Sequence, residues 1–195
     1  DDIRECIGCN ICIASWHDGV PVRCTQNATA GEEWRRGWHP ERFTRASQPG
    51  NVLVVGGGPA GLEAGLIAAK QGFEVTIAEQ TDDWGGRVLQ ESQLPGMATW
   101  RRVRDYRVWA LSQMGNVSMY TNSELDAEAA LSLGADHIAV ATGAHWTKRL
   151  YSSLEIPAAL LDLPQILTPE DVFAGTVAAD RVLIFDYDNY YLGGV

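Results

Sequence analysis

One stretch of this 195-residue chain, residues 51–79, leaves little freedom for the fold around it. It reads NVLVVGGGPAGLEAGLIAAKQGFEVTIAE, which predicts an apolar strand over Val52–Val55, a helix over Leu62–Lys70 and a second strand over Val75–Ala78. A G-x-G-x-x-G turn directly follows the first strand, and Glu79 ends the second. This order predicts an α/β, Rossmann-like domain of the FAD/NAD(P)-binding type with a parallel sheet.

Each part of this unit has a predicted task at a nucleotide. Gly56 permits the tight turn, Gly58 lets backbone amides approach a pyrophosphate, and Gly61 lets the helix pack closely on the strand. Glu79 can accept hydrogen bonds from a ribose hydroxyl, and its carboxylate should repel a 2′-phosphate. We therefore predict an ADP moiety, with FAD as the alternative. A glycine-rich turn that binds nothing is the plainer interpretation.

Two later motifs fit the same kind of domain. WGGR at 84–87 resembles the glycine pair that follows the second strand in many FAD-binding proteins with two dinucleotide domains. HIAVATGA at 137–144 resembles their strand that ends in Ala-Thr-Gly near the nucleotide. The residues predicted to line the cofactor are therefore Gly56, Gly58, Gly61, Glu79, Gly85, Gly86, Arg87, Thr142 and Gly143.

All four cysteines lie within residues 6–24, in the pattern C-x2-C-x2-C-x11-C. Disulfide frameworks are typical of small secreted domains with spread-out cysteines, and zinc prefers two pairs of ligands separated by a longer loop. A compact triplet with one later cysteine favours a [4Fe-4S] cluster, although no proline follows the fourth cysteine as in the bacterial ferredoxin run. The candidate metal ligands are Cys6, Cys9, Cys12 and Cys24.

Charge and hydropathy exclude several partners. The formal net charge is −10 and the calculated pI is near 4.8, which argues against binding nucleic acid or an anionic membrane through a basic surface. The sequence has no run of eighteen apolar residues and no signal-peptide pattern, so we expect no membrane span and a cytoplasmic location.

The last residues predict the beginning of another domain. RVLIFDYDNYYLGGV at 181–195 begins like a strand, but Asp186, Asp188 and Tyr191 occupy the positions where a second G-x-G-x-x-G would fall. Two carboxylates would repel a pyrophosphate, so we predict no NAD(P)H site there. The chain begins without methionine and stops shortly after this strand, so we expect a piece of a longer protein.

Four segments follow from these patterns. We expect a cluster-binding segment and strap at 1–48, a nucleotide-binding domain at 49–150, a linker at 151–180 and the first strand of a second nucleotide-binding-like domain at 181–195. The helical stretch WRRVRDYRVW at 100–109 allows two interpretations. Trp100, Arg101 and Arg104 could belong to a docking surface for an electron acceptor, or they could form a solvated helix face with salt bridges to nearby acids.

The run CIGCNICIASWHDGVPVRCTQNATAGEEWRRGWHPERF, followed by VLVVGGGPAGLEA, closely resembles the flavin and iron-sulfur amine dehydrogenases. This family includes trimethylamine, dimethylamine and histamine dehydrogenase. The resemblance extends from Cys6 to about Leu192 and is most specific at residues 25–41, which generic dinucleotide folds have no reason to share.

The resemblance implies more than the spacing does. It implies an N-terminal (β/α)8 barrel in which FMN oxidises a small amine, a [4Fe-4S] cluster on the four cysteines, and ADP on the glycine turn. It also implies electron transfer to an electron-transferring flavoprotein, and we expect a homodimer at full length. No barrel is present in this sequence, so no catalytic residue can be named. Two alternatives stay open: an NADPH-dependent flavin and iron-sulfur reductase of the 2,4-dienoyl-CoA reductase type, and a non-redox nucleotide-binding module with structural zinc.

Overall fold

The computed structural model of the chain describes residues 3–32, 34–35, 42–148, 163–178 and 180–185. The chain divides into two units, Asp1–Gly143 and Ala144–Val195. None of the helices in these described ranges has the length and hydropathy of a membrane-spanning segment. The four segment boundaries proposed from the sequence stay predictions.

A parallel sheet of four strands lies at the centre of the first unit, in the order β3-β2-β1-β4. Its strands are β1 Asn51–Val55, β2 Glu74–Ala78, β3 Val117–Tyr120 and β4 His137–Val140. From β1 the chain continues outward to β2 and β3 on one side, and then crosses to β4 on the other. The strand order therefore reverses between β1 and β4, where open α/β sheets bind their ligands beyond the carboxyl ends of the strands.

The helices of this unit connect the strands or precede them. They are α1 Ile11–His17, α2 Pro59–Lys70, α3 Arg87–Glu91, α4 Arg102–Ser112 and α5 Ala127–Ser132, with a 3-10 turn over Ala98–Arg101. Helix α2 begins three residues before its predicted start. Gly58 is its N-cap and Pro59 its first residue, because proline at that position has a suitable φ and lacks only an N–H that the helix does not use.

The core lies between the sheet and helices α2 and α4. Its fully buried side chains include Val54, Leu62, Ile77 and Leu111. Helix α2 can approach the sheet because it carries a glycine where a larger residue would not fit: a Cβ on Gly65 would lie 2.6 Å from Cδ1 of Ile77. The predicted Rossmann-like domain with a parallel sheet is thus confirmed.

The cysteine segment has a small core of its own. Ile7 packs with Val88 of α3 and Val103 of α4, and Cys9 and Trp100 cover this cluster. These contacts attach the residues before α1 to the outer side of the nucleotide-binding unit. Polar contacts add to this attachment: Thr99 Oγ1 donates to the carbonyl oxygen of Ile7, and Arg102 Nη1 donates to that of Cys6, each at 3.1 Å.

The second unit contains one described helix, α6, over Pro169–Phe173. The carboxylate of Asp171 accepts hydrogen bonds from the backbone N and the hydroxyl of Thr168, which caps the helix. The predicted strand at 181 is not formed over residues 181–185, and Leu183 is 93% exposed. No described strand pairs with these residues, and an extended segment without a partner leaves its backbone groups to solvent. Asp186, Asp188 and Tyr191 lie outside the described residues.

Candidate functional site

The glycine turn between β1 and α2 is built by close backbone contacts. Gly56 has φ of 108°, a conformation that favours glycine, and a Cβ there would collide with the carbonyl oxygen of Ala141. A Cβ on Gly61 would collide with the carbonyl oxygen of Gly56. The backbone of β1, the first turn of α2 and the residue after β4 therefore touch one another, which is the tight packing predicted for Gly56 and Gly61.

Gly58 faces open space. A Cβ at this position would meet no protein atom within 4 Å, although its neighbours in the turn are tightly packed. The N-cap Gly58 makes no side-chain capping hydrogen bond at the amino end of α2. The first amides of the helix can therefore donate to solvent or to a ligand, and the helix dipole favours an anion there. This arrangement allows an anion such as a pyrophosphate to approach the backbone at Gly58.

Glu79 lies at the end of β2 and is 6% exposed. Its Oε2 accepts a hydrogen bond of 2.7 Å from the backbone N of Gly57, and its Oε1 accepts hydrogen bonds from the N and Oγ1 of Thr81. The carboxylate thus supports the glycine turn. Its predicted role toward a ribose stays a prediction.

The WGGR motif packs directly against the glycine turn. The backbone N of Gly85 donates a hydrogen bond of 2.9 Å to the carbonyl oxygen of Gly57, and the Trp84 ring covers Gly57. A Cβ on Gly86 would lie 3.5 Å from the Cα of Gly58. Arg87 follows as the first residue of α3. The structure therefore brings this motif to the open side of the turn.

The residues after β4 complete the same edge. The backbone N of Ala141 donates a hydrogen bond of 2.8 Å to the carbonyl oxygen of Val55, and Thr142 N would lie 3.2 Å from a Cβ on Gly56. Gly143 follows with φ of 83°. The predicted nucleotide-lining residues thus lie at the carboxyl edge of the sheet, from β2 across β1 to β4, while their binding role stays a prediction.

None of the four cysteines forms a disulfide. Cys6 and Cys12 are exposed, whereas Cys9 and Cys24 are half-buried. The backbone N of Gly8 donates to Sγ of Cys6 at 3.3 Å, and Sγ of Cys9 lies 3.1 Å from Oγ1 of Thr25. In the part of the chain that the structure describes, no three His, Cys, Asp or Glu side chains are grouped closely enough to hold a metal ion. The predicted metal ligands therefore stay predictions.

Two arginines of α4, Arg104 and Arg107, bind inside the molecule. Arg104 forms an ion pair of 2.7 Å with Asp83, and its Nε donates to the carbonyl oxygen of Trp84. The pKa of Arg104 is raised: burial alone would lower it, but its hydrogen bonds and charge interactions with Asp105 and Asp83 outweigh that effect. Of the residues suggested for a docking surface, Arg104 supports the WGGR loop, whereas Arg101 is exposed and lies 3.8 Å from Asp105.

The sequence interpretation missed two buried polar residues. Arg107 and Gln26 are each 3% exposed, and Arg107 donates hydrogen bonds to Gln26 and to Glu63 of α2. Arg107 lies in the basic stretch at 100–109, and the apolar residues Val103 and Leu111, at helical spacing on either side of it, are the signal that indicates its burial. No local signal indicated the burial of Gln26.

Comparisons with known proteins agree with this geometry. The profile of a family described as an NAD(P)-binding Rossmann-like domain matches residues 54–122, from β1 to just after β3. Dimethylamine dehydrogenase from Hyphomicrobium sp. (strain x) is 42% identical over 98% of this chain and 27% of its own length. An NADH oxidase from Thermoanaerobacter brockii is 34% identical over 100% of the chain and 28% of its own length.

A solved structure of a related protein superposes on this chain. Histamine dehydrogenase from Rhizobium sp. 4-9 superposes with a TM-score of 0.87 and 45% identity, over 98% of this chain and 29% of that one. The chain thus spans between a quarter and a third of the length of these relatives, and the resemblance found in the sequence is confirmed. The chain belongs to the amine dehydrogenase family that contains dimethylamine dehydrogenase and histamine dehydrogenase.

Proposed function

We propose that this chain is the nucleotide-binding and electron-relay part of an iron-sulfur flavoprotein that oxidises a small amine. One observation carries the proposal: a glycine turn with an open approach at Gly58 lies on the same unit as a segment that contains four cysteines and no disulfide. That segment packs on the helices of the unit. The relatives support the redox role, since two of them are named as dehydrogenases of dimethylamine and of histamine.

The nucleotide would be an ADP moiety. Its pyrophosphate would occupy the space beside Gly58 and accept hydrogen bonds from the backbone amides at the start of α2. Glu79 Oε2 accepts one hydrogen bond from Gly57, and a carboxylate oxygen has a second lone pair with which to accept a ribose hydroxyl. Gly86 and Thr142 would border the ligand from the two sides of the turn. FAD would use the same residues for its ADP half.

The four cysteines would hold a [4Fe-4S] cluster. The donor set fits by its chemistry, because all four thiols are free of disulfides and the sulfur of Cys6 already accepts a backbone N–H. The exposed thiols of Cys6 and Cys12 would have to converge with Cys9 and Cys24 when the cluster binds. Such a cluster would supply one-electron transfer between the site of amine oxidation and an electron-transferring flavoprotein. The amine, the FMN on which it is oxidised and the dimeric state belong to the proposed longer protein.

A second candidate is favoured by the relative named NADH oxidase, which matches the whole chain at 34% identity. In this case the protein would take electrons from a reduced nicotinamide, as in the reductases related to 2,4-dienoyl-CoA reductase. The sequence at 186–191 opposes it, because Asp186, Asp188 and Tyr191 replace the glycines that a second pyrophosphate would need. The two candidates differ in their electron donor, which is an amine in one and NADH or NADPH in the other.

The test is a cofactor analysis of the full chain purified without oxygen. Iron, acid-labile sulfide and zinc are determined, the nucleotide is released by acid and identified by chromatography, and an EPR spectrum is recorded after dithionite reduction. We expect about four irons and four sulfides per chain, with ADP and a reduced-cluster signal. Stoichiometric zinc without sulfide would contradict the electron relay and favour the non-redox module. In the proposed longer protein, bleaching of the visible spectrum by NADPH but not by dimethylamine or histamine would favour the reductase.

A further inference from the structure

Arg107 is buried inside the first unit and has a partner for every N–H group of its guanidinium. Its Nε donates to Oε2 of Glu63 at 2.7 Å, and Nη1 donates to the carbonyl oxygen of Val103 at 2.8 Å and to Oε1 of Gln26 at 3.1 Å. Its Nη2 donates at 3.3 Å to the carbonyl oxygens of Thr25 and Gln26. An arginine has five such donors, so this charge is fully hydrogen-bonded although it is 3% exposed.

Gln26 forms the other half of this contact. Its side chain accepts from Arg107 through Oε1, and its Nε2 donates to the carbonyl oxygen of Glu5 at 3.0 Å. Glu5 immediately precedes Cys6, and Gln26 stands two residues after Cys24. The pair of Gln26 and Arg107, which we term the Gln26–Arg107 junction, therefore binds together the two ends of the cysteine segment. It also fixes that segment to α2 and α4.

The junction is cooperative because neither half is satisfied without the other. If Thr25 and Gln26 left their places, Arg107 would lose three of its five acceptors and keep a buried charge opposite Glu63. A buried donor without a partner carries a large desolvation penalty, and a charged donor a larger one. Lysine cannot replace the guanidinium, because one ammonium has three donors and no planar fork. The segment is therefore held by a contact that is either complete or strongly unfavourable.

We infer that the Gln26–Arg107 junction positions Cys24 against the cysteine triplet. Cys6, Cys9 and Cys12 lie close in sequence, but eleven residues separate Cys12 from Cys24, so local spacing does not bring the fourth thiol to the other three. The junction places the residue after Cys24 beside one member of the triplet, since Oγ1 of Thr25 lies 3.1 Å from Sγ of Cys9. The inference rests on the proposed function, since it makes Arg107 and Gln26 positioning residues for the proposed cluster ligands.

Site-resolved thiol alkylation of the full chain tests this positioning without a cluster. The protein is stripped of metal, kept reduced and exposed to iodoacetamide for increasing times, and each cysteine is followed by mass spectrometry of its peptide. In Arg107→Lys and in Gln26→Met, we expect alkylation of Cys24 and Cys9 to accelerate about tenfold, because local opening controls access to half-buried thiols. Cys6 and Cys12 are exposed already and should change less than about twofold.

Arg101→Lys is the matched control, because Arg101 is an exposed arginine of the same region whose described ion-pair partner, Asp105, is 3.8 Å away. Its alkylation pattern should equal that of the wild type. Arg107→Lys retains a charge opposite Glu63, and Gln26→Met leaves the bond between Arg107 and Glu63 in place. At least one of them should therefore keep a folded sheet, with hydrogen exchange of β1 and β2 at the wild-type rate. A folded variant whose Cys24 reacts at the wild-type rate would overturn the inference.

A second readout separates positioning from a general loss of structure. After anaerobic reconstitution with iron and sulfide, Gln26→Met should hold less iron than the wild type and show a changed EPR line shape, while hydrogen exchange of β1 and β2 stays at the wild-type rate. Full iron loading with an unchanged spectrum would contradict a positioning role. Failure of the wild type to bind iron would instead contradict the proposed function, and the alkylation result would stand on its own because it is obtained without metal.

Discussion

In the glycine turn, the carbonyl oxygen of Gly56 occupies the space that a side chain on Gly61 would need, and the two residues are five positions apart. In the cysteine segment, Gln26 is fixed by Arg107, which lies 81 positions further along the chain. The first region is built by backbone sterics between neighbours, and the second by a few side chains from distant helices. The two regions therefore differ in what they tolerate: an atom added at Gly56 or Gly61 disturbs the turn, whereas the segment depends on particular polar and apolar contacts.

The largest expected effect is that of a substitution inside the turn. Gly61→Val would force the amino end of α2 away from Gly56 and Ala141, because its Cβ collides with the Gly56 carbonyl oxygen. We expect a loss of more than about 3 kcal/mol in the free energy of unfolding, together with loss of ADP binding. Urea unfolding of the full chain measures the first and calorimetric titration with ADP the second. Wild-type stability in this variant would show that the turn is not sterically fixed.

The corresponding change in the cysteine segment should act locally. Ile7→Ala removes the centre of the small cluster that includes Val88 and Val103, and such a truncation costs about 2–4 kcal/mol. We expect this loss to appear as faster hydrogen exchange over residues 3–17, with the exchange of β1 and β2 unchanged. Ile13→Ala serves as the control, because Ile13 is 53% exposed. Equal destabilisation of the sheet would mean that segment and domain unfold together.

A substitution at Gly58 should distinguish an effect on ADP binding from an effect on folding. Gly58→Ala adds a methyl group that meets no protein atom but enters the space proposed for the pyrophosphate, so we expect unchanged thermal unfolding and at least about tenfold weaker ADP binding. Gly115→Ala is a matched control, since its Cβ also meets no protein atom and Gly115 precedes β3, away from the turn. Unchanged affinity in Gly58→Ala would place the nucleotide elsewhere.

The buried carboxyl of Glu91 should have a smaller, pH-dependent effect on the free energy of unfolding. Burial raises the pKa of Glu91, and the charge of Arg87 opposes this in part. A raised pKa in the folded state means that the native protein holds the proton more tightly, so the stability that Glu91 contributes is full at low pH and falls as the pH rises through its folded pKa. Glu91→Gln should therefore gain stability relative to the wild type between pH 4 and pH 7, by less than about 1 kcal/mol. Urea unfolding across this range measures the difference, and a constant or shrinking difference would contradict the sign.

The βαβ unit was predictable from the sequence because its chemistry is contained in about thirty residues. The apolar residues of β1, the glycines of the turn and the acid after β2 each have a meaning that depends on close neighbours. Both strands begin one residue before their predicted starts, and α2 begins three residues before, because Gly58 and Pro59 of the predicted turn are the cap and first residue of the helix. The family was also recognisable, since residues 25–41 have no role in a generic dinucleotide fold.

The basic stretch before and within α4 shows where the sequence was insufficient. Its residue types suggested a docking surface or a solvated face, and the spacing could not separate Arg101, which is exposed, from Arg104 and Arg107, which bind inside the molecule. That choice depends on which sides of the helix meet the WGGR loop and residues 25–26, since Arg104 binds the former and Arg107 the latter.

The sequence by itself determined the turn, the parallel strands and the family, because short-range sterics and residue patterns encode them. The tertiary structure alone decided that Arg107 and Gln26 hold the cysteine segment, because their contacts form only when α2, α4 and residues 25–26 are packed together.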